Sequence, residues 1–222
     1  MESYFLDLLP FYKKLPTLWK KRLLAGSQMT HFNKGTMIHA GEEQCSGLFI
    51  FLSGRVKAYM VTESGKEITL YRLMDRDVCI FSASCLMKNI TFDVHIQAET
   101  DVKAIRIPVK LYDEMEKEVI SVANFSNDLI SSRMSDVMWV LEQIVFMSFD
   151  KRLALFLLEQ FRLEDSDELI MTQEQIAANL GSAREVVSRM LKYFAKEGIL
   201  EVVRGGVRLL SMEKLIKLTQ KE

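Results

Sequence analysis

Residues 172–210 read TQEQIAANLGSAREVVSRMLKYFAKEGILEVVRGGVRLL, and this stretch decides the fold. Thr172-Gln-Glu-Gln175 has the form of a capping box, in which the threonine oxygen accepts from a backbone N–H and the glutamine reaches back, so a helix begins here. Gly181 tolerates the positive φ that a tight turn between helices needs. Ser182 can then cap a second helix. Two short helices around a glycine turn predict a helix-turn-helix.

Glycines also bracket the segment that follows the second helix. Gly198 precedes the β-type run Ile199-Leu-Glu-Val-Val203, and Gly205-Gly206 separates that run from Val207-Arg-Leu-Leu210. Two short strands joined by a glycine turn are typical of a wing. The C-terminal part of the chain is therefore predicted to be a winged helix-turn-helix.

The second helix carries charges that suit a nucleic acid. Between Ser182 and Arg208, six basic residues stand against three acids in a chain of formal net charge -1. In the major groove arginine can pair with guanine, glutamate can accept from cytosine, and serine can address a base. We expect four residues to contact bases: Arg184, Glu185, Ser188 and Arg189. We expect a second set to bind the phosphate backbone without reading sequence: Thr172, Ser182, Lys192, Arg204 and Arg208.

A purely structural role is the alternative for part of this set. Ser182-x-x-Glu185 is itself a capping box, so Glu185 could serve only the start of the helix. Arg189 could form a surface salt bridge on a solvated helix. The Thr172 capping box, the turn glycine and the wing occur together, however, and this combination favours DNA binding.

Residues 29–108 have the character of a β-domain. Turn residues recur at short intervals between the apolar runs Leu48–Leu52, Val56–Val61 and Ile68–Leu73. Many short strands with regular turn signals predict a sandwich, jelly roll or barrel. We therefore expect an α+β chain whose N-terminal part has one of these three β-architectures.

A helical stretch joins the two parts, since residues 111–160 contain neither glycine nor proline. Apolar residues at alternating steps of four and three form a predicted dimer seam: Ile130, Met134, Val137, Leu141 and Ile144. A second apolar set lies off that seam and is expected to pack on the β-domain: Leu129, Trp139, Val140, Val145 and Phe146. A single core helix of a monomer is the alternative. The predicted division is residues 1–108 for sensing, 109–148 for dimerisation and hinge, and 149–222 for DNA binding.

Composition excludes several other classes of protein. The N-terminus starts with an acid and is interrupted by Pro10 and Pro16, which does not fit a signal peptide. No apolar run approaches the roughly 20 residues that span a bilayer. The three cysteines have no CxxC spacing, which argues against a disulfide scaffold or a four-thiolate zinc site. We expect a cytoplasmic protein without a membrane partner.

The chain resembles the Crp/Fnr family of bacterial transcription regulators over nearly its whole length. The likeness is strongest from Phe149-Asp-Lys-Arg152 through Thr172 to Leu210, and Arg184-Glu-Val-Val-Ser-Arg189 is similar to the family's recognition helix. The Fnr-type variant of that helix reads TTGA-containing half-sites. The resemblance implies an N-terminal jelly-roll β-barrel like the domains that bind cyclic nucleotides. It also implies a homodimer on a palindrome with a TGA core, and RNA polymerase as a partner.

The effector region departs from the members that bind cyclic AMP. Their Gly-Glu pair for ribose and Arg-Ser pair for phosphate are replaced by Val78-Cys-Ile-Phe-Ser-Ala-Ser-Cys85 and Ile90-Thr-Phe-Asp-Val94. Asp93 would stand where a phosphate needs a cation. The resemblance therefore argues against cyclic AMP. It also argues against the iron-sulfur cluster of some members, since no cysteine precedes Cys45.

The identity of the effector stays open at this point. Haem could be ligated by histidine or methionine, with His31, His39 and His95 as candidates. Cys79 and Cys85 could form a redox pair. A small apolar effector could occupy a pocket lined by these residues: Ile80, Phe81, Phe92, Val137 and Met138.

The alternative from another functional class is a cupin-like, metal-dependent enzyme. A jelly roll can hold a catalytic metal when histidines and a carboxylate converge. Here the three histidines are scattered without H-x-H spacing, and an enzyme would not explain the winged helix-turn-helix. We therefore expect no metal site and no catalytic residues.

Overall fold

The structure is a computed structural model that describes residues 1–40, 46–63, 65–80 and 93–220. The chain divides into two compact units. The first comprises residues 1–60 and 70–137, and the second comprises residues 61–69 and 138–222. The predicted three-part division by function stays a prediction.

The β-structure of the first unit consists of two four-stranded antiparallel sheets. The strands are β1 (Gln28–Phe32), β2 (Met37–His39), β3 (Leu48–Ser53), β4 (Val56–Val61), β5 (Glu67–Leu73), β6 (Val78–Cys79), β7 (His95–Ala98) and β8 (Val102–Ile107). One sheet has the order β1-β8-β3-β6 and the other β2-β7-β4-β5. The predicted N-terminal β-domain is confirmed, and its three quoted apolar runs lie in β3, β4 and β5.

Strand β3 explains why this part of the sequence is apolar without alternation. Leu48 and Ile50 pack in one hydrophobic cluster, whereas Phe49 and Phe51 pack in another. Successive side chains of a strand point to opposite faces, so a strand covered on both faces must be apolar throughout. The first cluster also includes side chains from the N-terminal helices, which are α1 (Glu2–Leu8), a 3₁₀ helix (Tyr12–Lys14) and α2 (Thr17–Gly26).

The predicted helical stretch comprises three helices, α3 (Val109–Glu118), α4 (Ile120–Phe146) and α5 (Phe149–Glu164). Val119 ends α3 in an extended conformation, with φ -122° and ψ 102°. Ser148 precedes α5 with φ -63° and ψ 154°. Neither break uses glycine or proline, because any residue can adopt an extended conformation and end a helix. The prediction that this stretch is helical is confirmed, and the absence of glycine and proline did not indicate where its two breaks lie.

The second unit contains the predicted winged helix-turn-helix. After α5 it comprises β9 (Glu168–Leu169), α6 (Gln173–Asn179), α7 (Arg184–Lys196), β10 (Leu200–Val203), β11 (Gly206–Leu209) and α8 (Met212–Gln220). The three strands form an antiparallel sheet of order β10-β11-β9. A side chain at Gly206 would collide with the carbonyl oxygen of Leu169, so the glycine of the wing turn also permits the strands to approach closely.

Candidate nucleic-acid interface

Helix α6 begins with the reciprocal cap that its sequence predicts. The Gln175 backbone N–H donates to Thr172 Oγ1 at 3.2 Å, and the Thr172 backbone N–H donates to Gln175 Oε1 at 2.8 Å. Two backbone donors that would lack partners inside the helix are thus satisfied. Thr172 is exposed, and its hydroxyl hydrogen is not used by the cap. It can still donate to a phosphate.

The turn between α6 and α7 depends on Gly181, whose φ is 61°. The Ser182 backbone N–H donates to the Ala177 carbonyl oxygen at 3.0 Å, so Ser182 belongs to the turn. Helix α7 therefore begins one residue later than expected, with Ala183 as its N-cap at φ -88° and ψ 144° and with no side-chain cap hydrogen bond. The prediction that Ser182 caps α7 was wrong, and so was the alternative that Glu185 serves a capping box.

Helix α7 has one buried face and one exposed polar edge. Val187, Leu191 and Phe194 are fully buried in the core of the second unit. Arg184, Glu185, Arg189 and Lys192 are exposed, and Ser188 is half-buried. The apolar spacing of three and four residues places the buried set on one side and leaves the charges on the other. The four predicted base-contacting residues therefore share the solvent-facing part of the helix.

The charges on the polar edge of α7 have no partners within the part of the chain that the structure describes. Arg184, Glu185, Arg189 and Lys192 make no ion pair and no side-chain hydrogen bond there. Releasing such side chains from existing contacts would cost free energy on binding. Here that cost is absent, so the helix can present its donors and acceptor directly to a ligand.

Arg208 is in a different environment from the basic residues of α7. Its Nη2 lies 2.5 Å from Glu168 Oε1, and its Nη1 lies 3.2 Å from Glu201 Oε2. These three side chains come from paired positions on the three wing strands. The hydrogen bond from Arg208 to Glu168 and the nearby charge of that carboxylate raise the pKa of Arg208. A phosphate would have to compete with two carboxylates for this guanidinium.

The remaining residue of the wing that we predicted to contact the DNA backbone is Arg204, which is exposed at the turn between β10 and β11.

Tyr193 on α7 is an additional candidate for a phosphate contact that the sequence reasoning missed. Its side chain is 46% exposed and lies one helical turn beyond Arg189, next to Lys192. A tyrosine hydroxyl can donate to a phosphate oxygen. The spacing of four residues from Arg189 was the available signal for it.

The predicted dimer seam is exposed over part of its length. Met134, Leu141 and Ile144 are between 43% and 56% exposed. Ile130 and Val137 instead pack partly against the hydrophobic clusters of the first unit. The second apolar set does not form one buried face as expected, because Leu129 packs on a core cluster whereas Trp139, Val145 and Phe146 are exposed. The C-terminal half of α4 thus presents a large apolar surface to solvent.

The predicted effector residues are only partly described. Cys79 and Ile80 are buried in the first unit, and Val137 packs partly against the same cluster as Cys79. Met138 is 47% exposed. Phe81, Phe92 and the predicted redox partner Cys85 lie outside the described residues.

Arg133 of α4 lies over the Tyr71 ring, with its guanidinium carbon 4.9 Å from the ring centroid, and donates to Asp136 at 2.8 Å. Tyr71 is buried, and burial raises its pKa well above the usual value. Stacking on Tyr71 therefore holds this charged side chain of α4 against β5, whereas its ion pair with Asp136 lies within α4.

The histidines proposed as haem ligands lie on different strands. His31 on β1 is exposed, His39 on β2 is buried, and His95 on β7 is half-buried beside the Tyr59 ring. Within the described ranges, no group of three histidine, cysteine, aspartate or glutamate residues could hold a metal ion.

Among the same residues, no helix is both long enough and apolar enough to cross a membrane.

Comparison with protein families identifies both parts of the chain. A model of the cyclic nucleotide-binding domain matches residues 29–118, and a model of the Crp-like helix-turn-helix domain matches residues 151–218. The structure is also similar to that of a transcriptional regulator of the Crp/Fnr family from Eubacterium rectale ATCC 33656, with a TM-score of 0.95 and 43% identity. That match covers 97% of this chain and 100% of the other.

Two curated proteins are similar at lower identity. The global nitrogen regulator of Synechococcus elongatus is 27% identical over 173 residues, which is 74% of this chain and 77% of that protein. The anaerobic regulatory protein of Aggregatibacter actinomycetemcomitans is 27% identical over 191 residues, which is 82% of this chain and 72% of that protein.

Proposed function

This chain belongs to the Crp/Fnr family of DNA-binding transcription regulators, and on that premise we propose that it acts as a homodimer on a palindrome with TTGA-like half-sites. Its relatives are regulators and not enzymes, so the cupin-like enzyme is not favoured. In a dimer of this kind the two recognition helices enter the major groove about 34–36 Å apart, one turn of DNA. The exposed Met134, Leu141 and Ile144 supply the apolar contact for a second copy.

The polar edge of α7 is the observation that carries this proposal. Arg184, Glu185 and Arg189 are exposed and unpaired among the described residues, while the opposite face of the helix is fully buried. Arginine supplies bidentate donors for guanine, and glutamate supplies an acceptor for the cytosine amino group. Lys192 and Tyr193 lie farther along the helix and contact phosphates, which fixes the register.

The proposed signal is a small effector or a redox change other than cyclic AMP. Asp93 is exposed and places a carboxylate in the segment where the cyclic-AMP members have a cation. In this proposal the effector binds to residues 29–108, the dimer helix near residues 120–147 transmits the change, and residues 149–222 reorient on the operator. RNA polymerase is the proposed further partner. The effector need only bind one of two dimer arrangements more tightly than the other.

A mobility-shift titration tests the proposed function. Purified full-length protein is titrated into labelled DNA that carries a TTGA palindrome, and in parallel into a duplex with scrambled half-sites. We expect retardation of the palindrome at lower protein concentration than the scrambled duplex. Equal affinity for both duplexes, or no retardation with or without cell extract, would contradict the proposal.

A further inference from the structure

The start of β5, in the hairpin that joins β4 and β5, contacts the helix-turn-helix within the second unit. Residues 61–69 belong to that unit together with residues 138–222. Thr69 Oγ1 donates to Asn179 Oδ1 at 2.9 Å. The neighbouring residues Ile68 and Leu180 form an antiparallel β-bridge. Two consecutive residues of the hairpin therefore pair with the last residue of α6 and the residue after it.

The orientation of the Asn179 side chain supports this contact. Asn179 Nδ2 donates to the Gln175 carbonyl oxygen at 2.8 Å inside α6. With the amide nitrogen used by the helix, the amide oxygen is the atom that faces Thr69. The hydrogen bond from the hairpin thus acts on a side chain whose orientation α6 already fixes.

Ile68 covers the glycine on which the turn depends. A side chain at Gly181 would place its Cβ 3.1 Å from Ile68 Cδ1, so the isoleucine packs directly against this position. Helix α7 begins three residues later, at Arg184. The buried face of α7 anchors the helix in the core of the second unit. The groups packed on the short turn before it add a constraint on the direction in which the helix leaves the turn.

We propose that Ile68 and Thr69 are positioning residues for DNA binding, which hold the turn so that α7 presents Arg184, Glu185 and Arg189 at the angle required by the groove. This inference rests on the proposed function. The hairpin covers the turn and leaves the polar edge of α7 exposed, so the contact is compatible with bound DNA.

A double-mutant cycle on the full-length protein tests the inference. Thr69→Ala, Asn179→Ala and the double variant are titrated against the TTGA palindrome and against scrambled DNA. Thr69→Ala should weaken palindrome binding roughly three- to tenfold, the range for loss of a neutral hydrogen bond, and the double variant should lose no more than Asn179→Ala alone. Affinity for scrambled DNA and its salt dependence should not change. Thr69→Ser should restore palindrome binding, because it keeps the donor.

Thr62→Ala is the matched control. Thr62 lies on the same hairpin, where its Oγ1 accepts from the Lys66 backbone N–H at 3.1 Å. This variant should bind the palindrome like the wild type. Additive losses in the double variant would overturn the inference, because they would show that Asn179 acts independently of Thr69. Equal losses on palindrome and scrambled DNA would overturn it as well.

Hydrogen exchange without DNA separates this inference from the proposed function. The Ser182 amide is protected by its bond to the Ala177 carbonyl oxygen. It should exchange faster in Thr69→Ala and at the wild-type rate in Thr62→Ala. An unchanged rate in Thr69→Ala would overturn the positioning role even if the wild type binds the palindrome. A wild type that fails to discriminate the palindrome, with the exchange result as expected, would instead contradict the proposed function.

Discussion

Arg152 Nη2 donates a hydrogen bond to the Leu180 carbonyl oxygen at 2.5 Å. This contact joins the first turn of α5 to the residue that follows α6. It gives Arg152 a structural role within the Phe149-Asp-Lys-Arg152 segment, which is similar to that of the family. Partial burial lowers the pKa of the guanidinium. The arginine still carries its charge at neutral pH, so the hydrogen bond is a charge-assisted one.

Arg152→Leu should destabilise the second unit. A hydrogen bond to a charged group contributes about 1.5–3 kcal/mol, and the carbonyl of Leu180 would lose this donor. Hydrogen exchange of the α6 and α7 amides measures the effect, with faster exchange expected throughout both helices. Arg162→Leu is the control, since Arg162 is exposed on the same helix. Equal exchange in the two variants would contradict the assigned role of Arg152.

Glu99→Ala should destabilise the first unit. Glu99 Oε2 accepts from Arg72 Nε at 2.9 Å and from Arg55 Nε at 2.8 Å, and the Arg72 side chain is only 6% exposed. Removing one member of a buried ion pair typically costs about 3–5 kcal/mol, because charge stays buried without its counter-charge. Chemical unfolding followed by fluorescence of the buried Trp19 measures the loss. Glu118→Ala, at an exposed position, should leave the transition unchanged.

Local features of the helix-turn-helix were predictable from the sequence. The Thr172 and Gln175 side chains each accept a hydrogen bond from the backbone N–H of the other residue, and Gly181 adopts the positive φ that its turn requires. The start of α7 was misassigned because Ser182 and Ala183 are both acceptable locally, and the Ser182 N–H bond to Ala177 decides between them. Local sequence patterns therefore predict that a helix is present more accurately than they predict the residue at which it begins.

Contacts between distant parts of the chain were not predictable. Thr69 and Asn179 are 110 residues apart, and the sequence around either residue does not indicate that the other is its hydrogen-bond partner. Likewise, the ion pairs of Arg208 depend on the pairing of β9 and β10 with β11, which the positions of the glycines did not specify. The sequence reasoning therefore assigned Arg208 to phosphate without its two carboxylate neighbours.

Neutralising the carboxylates beside Arg208 should strengthen DNA binding without changing specificity. In the double variant Glu168→Gln with Glu201→Gln, the Arg208 guanidinium loses both carboxylate partners and can bind a phosphate. The salt dependence of log K should then steepen by about 0.9 for one added phosphate contact. The control, Asp165→Asn with Glu197→Gln, removes two exposed charges of the second unit that form no ion pair among the described residues. If both double variants show the same salt slope, Arg208 does not contact the backbone.

Charging the exposed part of the dimer seam should separate the protomers. In Leu141→Glu with Ile144→Glu, carboxylates from both copies would face each other. Like charges across an interface cost several kcal/mol, so we expect dimerisation about 100-fold weaker by sedimentation equilibrium. Val145→Glu adds a charge at a position that is 59% exposed and off the seam, and it should stay dimeric. Dimers of equal strength in both variants would rule out the proposed seam.

Base-pair substitution in the TTGA palindrome tests most directly whether α7 reads DNA. Affinities of the wild type, Arg189→Ala and Lys192→Ala are measured for every single base-pair change over a range of salt concentrations. Arg189→Ala should lose about 1–3 kcal/mol of discrimination at one position of the half-site, whereas Lys192→Ala should weaken all sequences alike and reduce the salt slope by about 1. Equal loss from both variants at every position would contradict base reading by α7.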